Sequence, residues 1–237
     1  MKNKSKDPIT LNELIFEIRY KANPKILDLR GTWAEKISDV MELSEWRIIQ
    51  NRLDIFDKSS KNRAFVGFNS AGFISNDVPT AHYFPDRTLK FLKFIMGLDG
   101  FNTPLQVDRI GVRQKSYTEF TKGFDELCSR YESRYLMMSE KLKTIMGAKL
   151  VDIGGSLNFN EKHGNFNTQS GPMKEDQAHQ FLNIQGTLPE VGLYIDIDYW
   201  QKPHNIVSDE KLFDLISTFA SESWAKHQKI IDLIFED

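Results

Sequence analysis

The stretch VGLYIDIDYW, Val191 to Trp200, decides the fold. Side chains alternate along a strand, so Leu193, Ile195, Ile197 and Tyr199 fall on one side and Tyr194, Asp196, Asp198 and Trp200 on the other. One side needs a core and the other tolerates water, which is the pattern of a strand in an antiparallel sheet covered on one face. Pro203 and Asn205 end the strand. Ser208 can cap the next segment, with Asp209 and Glu210 in a first turn where the helix dipole favours negative charge. Beyond it, Leu212, Leu215, Ile216, Phe219, Trp224, Ile230, Ile231 and Ile234 recur at helical spacing. That broad stripe predicts a long C-terminal helix that needs the sheet to pack against.

Working upstream, LNELIFEIRY repeats the alternation, with Leu14, Phe16, Ile18 and Tyr20 opposite Glu13, Ile15, Glu17 and Arg19. VDRIGVRQKSY reads as a third strand of the same kind. Residues Pro24 to Met41 predict two short helices, or a loop and one helix, interrupted at Gly31. WRIIQNRLDIFD, RAFVGF and AGFISND read as strands, with a hairpin turn at Asn69 to Gly72. Pro85 opens a helix over DRTLKFLKFIMGL that Gly97 or Gly100 ends. In the second half FTKGFDELCSRYESRYLMMSEKLKTIM is helical with a break, and KLVDIGGSLNF and AHQFLNIQG read as strands. The polar region from Gly155 to Gln177 reads as the longest loop. The order strand, helix, several strands, helix occurs twice. It predicts an α+β fold with a mainly antiparallel sheet and helices on one face, a pseudo-duplicated single domain over 1-237 with halves of about 1-103 and 104-237.

With 237 residues, 40% hydrophobic and 12% aromatic, the chain is large enough to bury a substantial core. Its net charge of -2 gives no global field toward nucleic acid or an anionic membrane, despite a basic lead of Lys2, Lys4 and Lys6. The single Cys128 excludes an intramolecular disulfide and a Cys-rich metal site, and reads as a small buried apolar residue. The N-terminal MKNKSKDPIT lacks the apolar region of a signal peptide, and no apolar run reaches membrane-spanning length, so a cytoplasmic location without a membrane partner is expected. His82, His163, His179, His204 and His227 show no zinc-binding spacing. Gly154 and Gly155 lack phosphate-loop spacing and read as a bulge, and FVGFNSAGF is no nucleophile elbow. Arg47, Arg52 and Arg63 with Trp46 and Phe65 form a basic aromatic patch that Asp54 and Asp57 dilute.

Three segments, LNELIFEIRY, DRIGVRQKSY and LYIDIDYW with its following helix, together resemble a sporadically distributed, uncharacterised bacterial protein family. The matching positions are Glu17 and Arg19, Arg109 to Arg113, Asp196 and Asp198, and His227; Gln114 and Lys115 depart from the family's aromatic and Asn. The resemblance implies the patchy distribution of mobile and defence-associated genes. It implies no activity and no catalytic residue.

If the three strands pair with their apolar sides inward, Glu13, Glu17, Arg19, Arg109, Arg113, Lys115, Asp196 and Asp198 share one surface. Two readings follow. In one the surface is a solvated sheet face, and the protein is a non-enzymatic interaction or regulatory subunit of a mobile, anti-phage defence or toxin-linked module, needing no cofactor. It presents this face, or the 155 to 177 loop, to a protein partner. In the other, Asp196, Asp198 and Glu17 ligate Mg²⁺ while Arg19, Arg109 and Arg113 hold phosphate oxygens, giving a nucleotide or nucleic-acid enzyme or binder. A homo-oligomer fits either reading, and nucleic acid ranks below protein as the partner.

Overall fold

The computed structural model describes residues 10–58, 61–76, 78, 80, 82–101, 106–182, 187–202 and 209–236. The basic lead, His204, the strand-ending Pro203 and Asn205, the Ser208 cap and the 103/104 boundary lie outside them, and the Asp209 side chain does too.

Strands β1 (Thr10–Tyr20), β2 (Glu45–Ile49), β3 (Arg52–Asp57), β4 (Asn62–Gly67), β5 (Ser70–Asn76), β6 (Val107–Glu119), β7 (Gly155–Glu161), β8 (Gly164–Lys174) and β9 (Val191–Gln201) form one sheet. Their order is β2-β3-β4-β5-β1-β6-β9-β8-β7. Every neighbouring pair is antiparallel. The fold is therefore α+β. Outward from the central β1/β6 pair, one side runs β5, β4, β3, β2 and the other β9, β8, β7. Both halves place their last strand beside their first and work back to the edge, and the first half has one strand more.

The alternation of β1, β6 and β9 puts Phe16, Val112, Ile195 and Ile197, all buried, on one face. Helices α1 (Lys25–Met41), α2 (Tyr83–Met96) and α6 (Asp209–Phe235) cover it. They bury Trp33, Ile37, Phe91, Leu92, Ile95, Ile216 and Phe219 against the sheet in one core. None of the described helices is long and apolar enough to cross a membrane.

Several local expectations are corrected. The helix α1 runs unbroken through Gly31, whose missing side chain would meet only open space; a solvent-facing glycine weakens a helix by only ~1 kcal/mol, which tertiary packing outweighs. WRIIQNRLDIFD is two strands, β2 and β3, turning at Gln50 and Asn51, and the β4–β5 hairpin turns at Phe68 and Asn69 rather than at Asn69 to Gly72. The helical segment after β6 divides into α3 (Phe124–Arg130), a π-helical turn (Tyr131–Leu136) and α4 (Glu140–Met146). The break falls at Met137, in the left-handed region with φ 49, and Ser139 caps α4 by accepting from the Leu142 N–H.

The region 155 to 177 is not a loop: it is the β7–β8 hairpin and the start of α5 (Glu175–Phe181). Paired strands satisfy its polar backbone, so Asn-rich composition does not prevent a ladder. AHQF, expected as strand, closes α5, which lies on the sheet's other face. There Tyr117, Tyr194, Ala178, Leu182 and Leu188 form a second small core.

Candidate functional site: the charged face of the central strands

The register sets the geometry. Across β1 and β6, Glu13 faces Lys115, Glu17 faces Gly111 and Arg19 faces Arg109. Across β6 and β9, Lys115 faces Asp196, Arg113 faces Asp198 and Gly111 faces Trp200. All six residues predicted as a charged site, Glu17, Arg19, Arg109, Arg113, Asp196 and Asp198, thus stand on one face, opposite α1, α2 and α6.

The cation–anion contacts run along diagonals and rungs of this ladder. Arg113 Nε donates to both Asp196 oxygens at 2.8 and 3.1 Å. Arg109 Nη2 donates to both Asp198 oxygens at 2.8 and 2.6 Å, and its Nη1 lies 3.6 Å from Glu17 Oε2. Arg19 Nε donates to the same Glu17 oxygen at 2.8 Å. Lys115 Nζ donates to Glu13 Oε1 at 2.8 Å and to the Phe181 carbonyl at 2.9 Å. Tyr194 donates its hydroxyl to Asp196 at 3.2 Å. Charge-assisted bonds of this kind are the strong ones, and two-oxygen contacts fix orientation as well as distance.

Gly111 makes the diagonal possible. A side chain there would press within 2.9 Å of the Tyr199 carbonyl and 3.2 Å of Arg109 Nη1, so the guanidinium lies over the glycine on its way to Asp198. Its carbon sits 5.8 Å from the Trp200 ring, within cation–π range.

Burial grades the network. Asp196 and Glu13 are 2% and 1% exposed, whereas the Arg113 and Arg19 side chains keep 42% and 55%. The hydrogen bond to Asp196 raises the Arg113 pKa further, so the cation is permanent. Burial pushes the Asp198 carboxyl above its ordinary value, and the Arg109 guanidinium pulls against it.

Glu17, Asp196 and Asp198 are each held by a guanidinium, and among the described residues no group of three His, Cys, Asp or Glu stands together as metal ligands.

Sequence reasoning missed how far the face extends. Asp54, fully buried on β3, pairs with Arg52 at 2.7 Å and Arg47 at 3.2 Å. The Arg52 guanidinium caps the Phe65 ring at 5.0 Å. Phe65 in turn lies over Gly72, where an added side chain would meet its ring at 2.5 Å. The basic aromatic patch therefore adjoins the charged ladder, except that Trp46, alternating with Arg47, belongs to the opposite face. In the sequence Asp54 is legible only as a diluting charge, because Gln50 and Asn51 carry no sign of the hairpin that brings Arg47 and Arg52 to it.

Elsewhere, a groove of about 920 Å³ at the end of β6 is lined by residues including Glu119, Lys122, Glu126, Lys174, Asp176 and Glu190, none of them in the ladder. Cys128 is half-buried, and burial pushes its thiol up to about 11, as fits a packing residue. His227, on α6, is buried, with Nδ1 2.8 Å from the Ser223 carbonyl and Nε2 3.2 Å from that of Ile195.

No protein-family model matches the chain, and no curated protein matches it.

Proposed function

We propose that this protein is a non-enzymatic interaction or regulatory subunit that meets a protein partner with the open face of its central strands, and that it acts in the cytoplasm. One observation carries the reading. The acids of that face are consumed by its own bases, which builds a rigid surface of fixed charge and leaves those carboxylates committed rather than poised for proton transfer or metal ligation. The Arg19 and Arg113 side chains, 55% and 42% exposed, lie on the same face as the half-buried Trp200, and these are residue types that anchor protein interfaces. The setting in a bacterial mobile, anti-phage defence or toxin-linked module rests on the resemblance of the three strand motifs.

A second reading, a binder of nucleotide or nucleic-acid phosphate, draws on the same two arginine side chains. The two separate on substitution. Arg19→Glu with Trp200→Ala should remove a co-purifying protein partner while the circular dichroism spectrum and urea midpoint stay those of the wild type. Loss of bound nucleotide instead, with no protein partner in either sample, would replace the first reading by the second.

A further inference from the structure

We infer that two copies of this chain join through β7, edge to edge and antiparallel, to make one continuous sheet across a twofold axis. The internal repeat first marks the place. In the first half the strand equivalent to β7 is β3, whose Leu53 and Ile55 are fully buried because β2 pairs its outer edge and α1 lies over it. Among the described residues β7 ends the sheet without such a neighbour, and in the second half the segment equivalent to α1 breaks at Met137. Its last piece, α4, buries none of its residues.

The apolar side of β7 is open as a result. Phe219, Tyr199, Phe166 and Phe159 stack in sequence at 5.3, 4.7 and 4.6 Å, a ladder that starts in the core and arrives at the edge with Phe159 43% exposed. Leu157 beside it is 40% exposed.

The occupant follows from self-complementarity. Antiparallel pairing of GSLNFNE with itself about Asn158 sets Leu157 against Phe159 of the other copy on the helix side, and Ser156 against Asn160 on the other. Asn158 meets its own amide, which can both donate and accept. Charge agrees: the one charged residue of the strand, Glu161, lies opposite Gly155 and is already paired with Lys226 at 3.2 Å. Continued past the strand, the same register brings the exposed Lys162 of one copy within a diagonal step of the exposed Asp152 of the other. The opposite edge is unsuited to the same use. Self-pairing of β2 about its centre would oppose Arg47 to Arg47, and Arg30 already occupies the Ile49 and Gln50 carbonyls at 2.8 and 3.0 Å. Seven paired residues alone fall short of the ~1,200 Å² of a stable interface. Exposed Ile145, Met146 and Val151, joined to β7 by the short run before Gly155, supply further apolar surface.

The test uses the full chain. Light scattering on the eluting wild-type peak is expected to give about 55 kDa, twice the 27.5 kDa of one chain, and Asn158→Lys, which opposes two ammonium groups, is expected to halve it without changing the circular dichroism spectrum. In a Cys128→Ser background, Asn158→Cys should form a disulfide-linked dimer on mild oxidation while Ser156→Cys, opposed to Asn160, should not. A monomeric wild type, or a dimer that Asn158→Lys leaves intact and Asn158→Cys fails to link, overturns the inference; the first result would reserve the edge for a strand from another protein.

Discussion

Glu13 is 1% exposed, and its carboxylate rests on the Lys115 ammonium at 2.8 Å. Removing one member of a buried pair leaves a desolvated charge, so Lys115→Ala should lower stability by about 3 kcal/mol in urea denaturation. Arg19, 55% exposed on its side chain, should tolerate Ala within ~1 kcal/mol, because solvent screens its bond to Glu17. His227 supplies a pH dependence. Burial lowers its pKa against the pull of the Ser223 and Ile195 carbonyls and of Asp196, so the folded ring is neutral and donates to one carbonyl only. The unfolded chain therefore takes up this proton first as pH falls. Stability should decline as pH drops below about 6.5, the ordinary histidine value. Between pH 7.5 and 5.5 the fall in urea midpoint should be smaller in His227→Gln than in the wild type.

Among the elements, α6 carries the largest single contrast. Phe219 is fully buried against the Tyr199 ring, whereas Trp224, on the same sequence stripe, is 48% exposed. Phe219→Ala should cost about 3–5 kcal/mol and Trp224→Ala much less, read from denaturation midpoints. The stripe in the sequence was real, but its width hid which residues face the sheet: Ser223 and His227, polar in type, are buried, and Trp224 is turned outward. The strands with strict alternation, β1, β6 and β9, were legible with their faces correctly assigned. Of the β7–β8 hairpin only the GSLNF end of β7 is legible, within the strand read in KLVDIGGSLNF, because Asn and Gly recur through the turn and β8. Its signal was the mirrored NFNE and GNFN around Lys162 and His163, a period of two carried by two phenylalanines, Phe159 and Phe166, that stack at 4.6 Å. The β2–β3 turn was missed for a related reason: Gln50 and Asn51 lack the glycine that usually marks so tight a reversal.

At the scale of the molecule, one nine-stranded sheet separates two environments. Helices and the apolar core occupy one side; the other carries a band of paired charge from Arg47 on β2 to Asp198 on β9, covered at one end by α5. The six predicted site residues could be gathered from sequence because alternation alone assigns a face. Their pairing could not, since it depends on strand order and on the space above Gly111. The proposal of a recognition surface rests on that pairing. The most direct test is the native mass of the protein purified gently at low salt from its own host, with everything it retains identified. A stoichiometric second protein, released by Arg19→Glu with Trp200→Ala, is the predicted result. A chain that carries nucleotide or Mg²⁺ and no protein partner would contradict it.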